Sequence, residues 1–149
     1  MTKEVLLSLQ GLQFDAVSAD GDKIETITPA EYYKRNDSHY VIFEEAMEGF
    51  QEKTKNVIKF KENSLDLTKK GLVNVHMIFE ENKKNMTNYA TPYGNILIGI
   101  DARSVRLKEK EERIEVDVDY ALEVNYEHFA DCKIKIDIRA KNREGFSLQ

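Results

Sequence analysis

The chain has 149 residues, 41% of them hydrophobic and 33% charged, which is typical of one folded domain and excludes a disordered protein. Its net charge of -5 argues against nonspecific binding to nucleic acid or to an anionic membrane, because both depend on a surplus of lysine and arginine. No apolar run approaches the ~20 residues that span a bilayer. Residues 1–5 also lead into charged side chains and strand-like alternation instead of the apolar segment of a signal peptide, so we expect a cytoplasmic protein. Cys132 is the only cysteine, which excludes an intrachain disulfide.

Apolar and polar residues alternate with a period of two along most of the chain, which indicates β-strands rather than helices. Polar clusters at Asp20–Asp22, Asn36–Ser38 and Glu81–Asn85 separate alternating runs and predict turns. In chain order, strands are predicted at Val5–Phe14, Lys23–Lys34, His39–Glu45, Asn56–Lys61, Ser64–Thr68, Leu72–Phe79, Met86–Ala90, Asn95–Leu107, Ile114–Tyr126 and Cys132–Ala140.

Two hairpins have a predicted register, because matching the apolar faces of neighbouring strands fixes which residues oppose each other. The hairpin around Glu62-Asn63 is expected to pair Ile58 with Leu67, Phe60 with Leu65 and Lys59 with Asp66. The hairpin around Glu127–Asp131 is expected to place Tyr126 opposite Cys132. Its buried pairs are then Val124 with Ile134, Leu122 with Ile136 and Tyr120 with Ile138, and its outer pairs are Glu123 with Lys135, Asp119 with Arg139 and Asp117 with Lys141.

Sequential strands with short polar turns predict an all-β antiparallel meander, with residues 1–149 closing into one barrel of about eight to ten strands. Two packed sheets are the alternative. The charged segment Arg106–Arg113 is interpreted as a protruding hairpin. Thr91-Pro92-Tyr93-Gly94 is interpreted as a turn or a barrel corner, because proline cannot donate to a β-ladder.

No catalytic or metal-binding motif is recognisable in the sequence. The three histidines lack the spacing of metal ligands, and the glycines form no phosphate-binding loop. Nothing places Cys132 beside a histidine as a nucleophile requires, so we expect it to be a small core side chain. Asp117 and Asp119 share an outer strand face, which favours salt pairing over catalysis. We therefore expect no metal, no cofactor and no catalytic residue.

Two polar features of the predicted strands are candidates for a binding site. Glu44 and Glu45 point to opposite faces of an otherwise apolar strand, so one of them faces the interior and needs a partner there. Lys70, Arg103 or a tyrosine hydroxyl is the expected partner. His76 points either into the barrel or into solvent, and the sequence favours the outer surface.

Three features occur in a fixed order along the chain: the doubled glutamate at 44 and 45, Lys70-Gly71, and a Tyr-x-Thr-x-Tyr-Gly motif formed by Tyr89, Thr91, Tyr93 and Gly94. In these features the chain resembles the YwiB-like family of small bacterial proteins of unknown function. The resemblance implies a calycin-like β-barrel, related in shape to lipocalins and fatty-acid-binding proteins, and no established activity. Two positions depart from the family pattern, Phe43 in place of a tyrosine and Lys70 in place of an arginine, and both substitutions change hydrogen-bonding capacity.

Three functions are compatible with these observations. The leading one is a noncatalytic barrel that binds a small, partly apolar ligand, and a fully packed interior without a ligand is an equal alternative. The second is a hydrolase or isomerase in which a carboxylate, a lysine and a tyrosine converge in one pocket. The third is a protein-interaction module, including self-association as a homodimer. The candidate ligand-binding residues are Glu44, Glu45, Lys70, His76, Tyr89, Thr91, Tyr93 and Arg103.

Overall fold

The computed structural model describes residues 3–11 and 25–141, which form ten antiparallel strands. None of these residues belongs to a helix long and apolar enough to cross a membrane. The strands are β1 (Glu4–Gln10), β2 (Glu25–Arg35), β3 (Ser38–Ala46), β4 (Lys53–Lys61), β5 (Ser64–Gly71), β6 (Val75–Glu80), β7 (Lys83–Thr91), β8 (Gly94–Glu109), β9 (Arg113–Val124) and β10 (Glu127–Ala140).

All ten strands belong to one sheet, in the order β6-β5-β4-β3-β2-β1-β10-β9-β8-β7. The first strand pairs with the last, since Val5 lies opposite Ala140 and Leu9 lies opposite Ile136. The two ends of this order, β6 and β7, come together at an isolated bridge in which Asn74, directly before β6, and Ala90 of β7 exchange backbone hydrogen bonds of 2.9 Å each. The sheet is therefore a nearly closed barrel, which confirms the predicted meander and fold class.

The interior of the barrel is filled along its middle. The period-two alternation directs every second side chain inward, and many of these have no exposed surface at all: Leu7, Val41, Ile58, Leu67, Met77, Phe79, Ile100, Ile136 and Ile138. Phe79 packs edge-on against Tyr120, with ring centroids 5.0 Å apart at 75°. Burial raises the pKa of Tyr120 and that of Cys132, whose thiol is its polar neighbour. A ligand in the middle of the lumen would have to displace these side chains.

Several predicted turns are confirmed. The Glu62-Asn63 hairpin has the expected register, with Ile58 opposite Leu67 and Lys59 opposite Asp66. The charged segment Arg106–Arg113 forms the tip of the β8–β9 hairpin, and Thr91–Gly94 forms the β7–β8 turn.

Cys132 packs at the edge of the core as expected. The turn predicted at Asp20–Asp22 lies outside the described residues, as does the end of the first predicted strand.

The predicted register of the last hairpin is wrong. The turn lies at Asn125-Tyr126, both with positive φ (51° and 70°), and β10 begins directly afterwards. Cys132 therefore opposes Tyr120 instead of Tyr126. A tyrosine rarely adopts positive φ, so the alternation that continues through Tyr126 hides the turn. The displacement is six residues, an even number, so the buried and outer faces of both strands are still those predicted.

The corrected register also changes the outer ion pairs of this hairpin. Asp119 lies opposite Lys133, with the ammonium and carboxylate 3.9 Å apart, and Asp117 lies opposite Lys135. The expected partners, Arg139 and Lys141, are not opposite these aspartates. Asp117 and Asp119 are nevertheless surface groups with basic neighbours, as their alternation indicates.

Candidate functional site

One end of the barrel carries two cavities. In an antiparallel meander alternate connections lie at the same end, so the β3–β4, β5–β6, β7–β8 and β9–β10 connections share one rim. We call this end the mouth; its connections are residues 47–52, 72–74, 92–93 and 125–126. One cavity at the mouth is apolar and the other is polar.

The apolar cavity measures about 430 Å³. Among residues 3–11 and 25–141, none of the side chains that line it carries a charge: Met47, Val73, Tyr89, Thr91, Tyr93, Ile96, Ile98, Leu122, Val124 and Phe129. Beneath it lies the filled core, because Ile98 and Leu122 are themselves buried core residues. The cavity therefore occupies the mouth and not the middle of the lumen.

Two local irregularities build the rim of the apolar cavity. In the β7–β8 turn, Thr91 Oγ1 accepts a hydrogen bond from the Tyr93 amide at 3.1 Å and donates one to the Gly94 carbonyl at 2.9 Å. This turn holds the Tyr93 ring edge-on to Phe50, with the ring centroids 6.3 Å apart. On β10, a β-bulge between His128 and Ala130 contains Phe129, which lines the cavity although it is 58% exposed.

The polar cavity measures about 270 Å³ and is lined by Leu9, Thr26, Ile27, Thr28, Phe43, Glu44, Glu45, Ala46, Asn56 and Lys69. At its base Lys69 Nζ donates to Glu45 Oε1 at 2.6 Å, and Asn56 Nδ2 donates to the same oxygen at 3.1 Å. Lys69 is only 7% exposed and Asn56 is fully buried. The ammonium and the carboxylate neutralise each other inside the barrel wall.

These three polar residues continue the inward positions of their strands. Glu45 follows Val41 and Phe43 at spacing two, and Lys69 follows Leu65 and Leu67 in the same way. On β4 the inward position next to Ile58, on the mouth side, is Asn56. The sequence signal for this cluster is therefore a polar residue at an inward position on the mouth side of an alternating strand whose other inward residues are mostly apolar.

The structure separates the predicted binding residues into three groups. Glu44 and Glu45 line the polar cavity. The three motif residues Tyr89, Thr91 and Tyr93 line the apolar cavity. The other three lie on the outer surface and line neither cavity: Lys70; His76, which lies 3.5 Å from Asp66; and Arg103, which donates to Asp131 at 3.0 Å.

The expected interior ion pair exists, but the basic residue predicted to form it is not the one that does. Glu45 is the inward carboxylate and Lys69, not Lys70 or Arg103, is its partner. Lys70 is the next residue along β5 after Lys69, so its side chain points to the opposite, outer face of the sheet and is exposed. The proposed hydrolase or isomerase arrangement is also absent from the described residues, since the carboxylates and the tyrosines line different cavities and Lys70 lines neither. Those residues likewise contain no group of three or more histidine, cysteine or acidic side chains suited to a metal ion.

The end of the barrel opposite the mouth carries a polar network that the sequence did not reveal. Tyr32 Oη lies 2.7 Å from Nδ1 of buried His39, whose Nε2 lies 3.4 Å from a carboxylate oxygen of Glu109. The His39 ring stacks on Phe60, with centroids 4.8 Å apart. A carboxylate only accepts hydrogen bonds, so in the neutral ring Nε2 carries the proton and Nδ1 accepts from the Tyr32 hydroxyl.

Acidification should destabilise the protein through His39. Burial lowers the pKa of His39, and the Lys34 ammonium adds to this, while Glu109 opposes both. Below about pH 6.5, the ordinary value for histidine, the unfolded chain therefore binds the proton more readily than the folded one. The free energy of unfolding should fall as the pH drops from about 7 to 5.

The measurement is urea unfolding across this pH range for the wild type and for His39→Gln, which keeps one donor and one acceptor. We expect a shallower decline in the variant. His76→Gln is the matched control, because it removes an exposed histidine without touching the network, and it should retain the wild-type slope. Equal slopes for the wild type and His39→Gln would contradict the assignment.

Comparison with known proteins decides the family. The family described as Domain of unknown function (DUF1934) matches residues 8–136, which is most of the chain. The chain belongs to this family. The crystal structure of the ywiB protein from Bacillus subtilis has the same fold, with a TM-score of 0.78 and 18% sequence identity over 94% of this chain and 93% of that chain. No curated protein matches the chain by sequence. The resemblance to the YwiB-like family is thereby confirmed, and at this identity the likeness extends to the fold alone.

Proposed function

We propose that the protein is a noncatalytic barrel that binds a small, uncharged, largely apolar molecule in the apolar cavity at its mouth. The observation that supports this most directly is an apolar cavity of about 430 Å³ above a filled core. That volume lies within the range of about 300–1,000 Å³ that is common for small-molecule sites. The lining also has the usual composition of such sites, mostly aliphatic and aromatic side chains with a few hydroxyl groups.

The chemistry of the lining defines the ligand class. An ionised ligand would lose its hydration without gaining a countercharge from the described part of the cavity wall, so an uncharged molecule is favoured. Tyr93 and Phe129 stand at the rim with 80% and 58% of their surfaces exposed, and a ligand that covers them would bury this apolar area. Aromatic rims of this kind favour a ligand with a flat or ring-shaped apolar part.

A charge placed in the cavity wall should abolish most of the binding. Ile96 lines the cavity and is 41% exposed, so Ile96→Glu changes the wall without inserting a charge into the core. We expect Nile red, an uncharged dye that fluoresces in apolar surroundings, to bind the wild type saturably and Ile96→Glu about tenfold more weakly or worse.

Met86→Glu is the matched control for this experiment. Met86 is 40% exposed and does not line the cavity, so the variant carries the same change of side chain at a similarly exposed position and should bind the dye like the wild type. Equal binding by Ile96→Glu and the wild type, or the absence of saturable binding, would contradict the proposal. Native mass spectrometry of protein from its own host then tests for a resident ligand.

A homodimer and a cytoplasmic location remain predictions from the sequence. The exposed aromatic side chains at the mouth, Tyr93, Tyr126 and Phe129, form the surface on which self-association is most readily tested. Analytical ultracentrifugation of the wild type gives the oligomeric state directly.

A further inference from the structure

The polar cavity contains a buried acceptor whose orientation is fixed. Asn56 Nδ2 donates to Glu45 Oε1 at 3.1 Å and to the Thr54 carbonyl at 3.4 Å. Both partners only accept, so the amide cannot be flipped and Oδ1 must be the free end. This oxygen is buried and has no hydrogen-bond partner among residues 3–11 and 25–141. Buried polar atoms are normally paired, so an unpaired one on a residue that lines a cavity marks a place where a donor is missing.

A strong donor lies next to this acceptor. Lys69 is directly opposite Asn56 in the β4–β5 pairing, and both side chains donate to the same oxygen of Glu45. The ammonium has three protons, of which Glu45 takes one. Two residues that line the cavity therefore carry an unpaired carbonyl acceptor and a cationic donor side by side, and a ligand reaches the buried acceptor only when the side chains that cover it move aside.

The charges at this wall select the class of ligand. Lys69 is neutralised by Glu45, so the pair has no net positive charge to offer and a free anion is disfavoured. Leu9 and Phe43 supply apolar walls on which a small ring can lie. We propose that the polar cavity binds a small neutral molecule with an adjacent N–H donor and C=O acceptor, such as a lactam or a carboxamide. In this arrangement the ligand N–H donates to Asn56 Oδ1 and its carbonyl accepts from Lys69 Nζ.

This proposal concerns a second cavity and does not depend on the apolar one. A matched pair of ligands tests it on the wild-type protein. δ-Valerolactam carries the donor and acceptor on one edge, whereas N-methyl-δ-valerolactam has the same ring and carbonyl without the donor. Titrations followed by ¹H–¹⁵N NMR should give shifts at Glu45, Asn56 and Lys69, and binding of the N-methyl compound should be about tenfold weaker.

Two variants and an anionic ligand complete the test. Lys69→Met keeps the aliphatic stem of the side chain and should bind δ-valerolactam about tenfold more weakly, while Ile96→Glu, in the other cavity, should bind it like the wild type. Equal affinity for the two lactams, shifts confined to the apolar cavity, or tighter binding of valerate than of the lactam would overturn the proposal. Failure of Nile red binding alone would leave this result unaffected.

Discussion

Replacing Phe79 with alanine is expected to lower the free energy of unfolding by about 3–5 kcal/mol. Phe79 has no exposed surface and packs edge-on against Tyr120 in the middle of the barrel. Its removal loses both the transfer free energy of the ring and the contacts of the neighbours left around a cavity. Urea unfolding followed by far-UV circular dichroism measures the loss, because the chain has no tryptophan to serve as a fluorescent probe.

The matched control is the same substitution at the mouth. Phe129 is 58% exposed on a β-bulge, so Phe129→Ala should change stability by less than about 1 kcal/mol. The same variant should weaken the binding of Nile red, since Phe129 lines the apolar cavity. A loss of under about 1 kcal/mol for Phe79→Ala would mean that the barrel interior is not packed as described.

The second large effect is expected at Gly71. This residue has a φ of +141°, and a Cβ placed on it would lie 2.3 Å from the Lys53 carbonyl oxygen and 2.9 Å from Thr54 Cα. Both are backbone atoms of β4, so strands β4 and β5 would have to separate. We expect Gly71→Ala to cost about 3 kcal/mol or more in the free energy of unfolding.

Gly94 separates the two causes of this effect. Its φ is +132°, similar to that of Gly71, but a Cβ at this position would have no heavy atom within 4 Å. Gly94→Ala should therefore cost about 1 kcal/mol, from backbone strain alone. If the two variants lose equal stability, the close approach of Lys53 to Gly71 is not the reason that glycine stands there. If Gly71→Ala loses clearly more stability than Gly94→Ala, the close packing of β4 against Gly71 explains why a glycine follows Lys70, and no role in binding is needed.

Much of the fold could be predicted from the sequence because alternation is a local signal. It predicted the strands, the barrel and the two opposite faces of most strands, and it showed that one of Glu44 and Glu45 faces inward without deciding which. The same signal, applied to β5, indicates Lys69 as the inward lysine, since it follows Leu65 and Leu67. Lys70, the lysine expected as the partner of the glutamate, does not follow this alternation, which directs its side chain to the outer surface.

The rest depends on contacts between distant parts of the chain. His39 and Glu109 lie 70 residues apart in sequence, and only the closure of the barrel brings them together. The turn at Asn125-Tyr126 was hidden because its tyrosine fits the alternation of the preceding strand. The β-bulge that contains Phe129 likewise has no recognisable pattern in the sequence around it. Without the bulge the Phe129 ring would not be expected at the cavity.

The seam between β6 and β7 has a consequence for solubility. A sheet edge exposes unpaired N–H and C=O groups that can add a strand from another molecule and start aggregation. Here both edges of the sheet belong to strands joined by the two-residue connection Glu81-Asn82, and Asn85 Nδ2 donates to the Ile78 carbonyl across the seam at 3.3 Å. Each edge thus faces the other and is held there by a covalent tether. The barrel protects its edges from intermolecular pairing without a complete ladder between them.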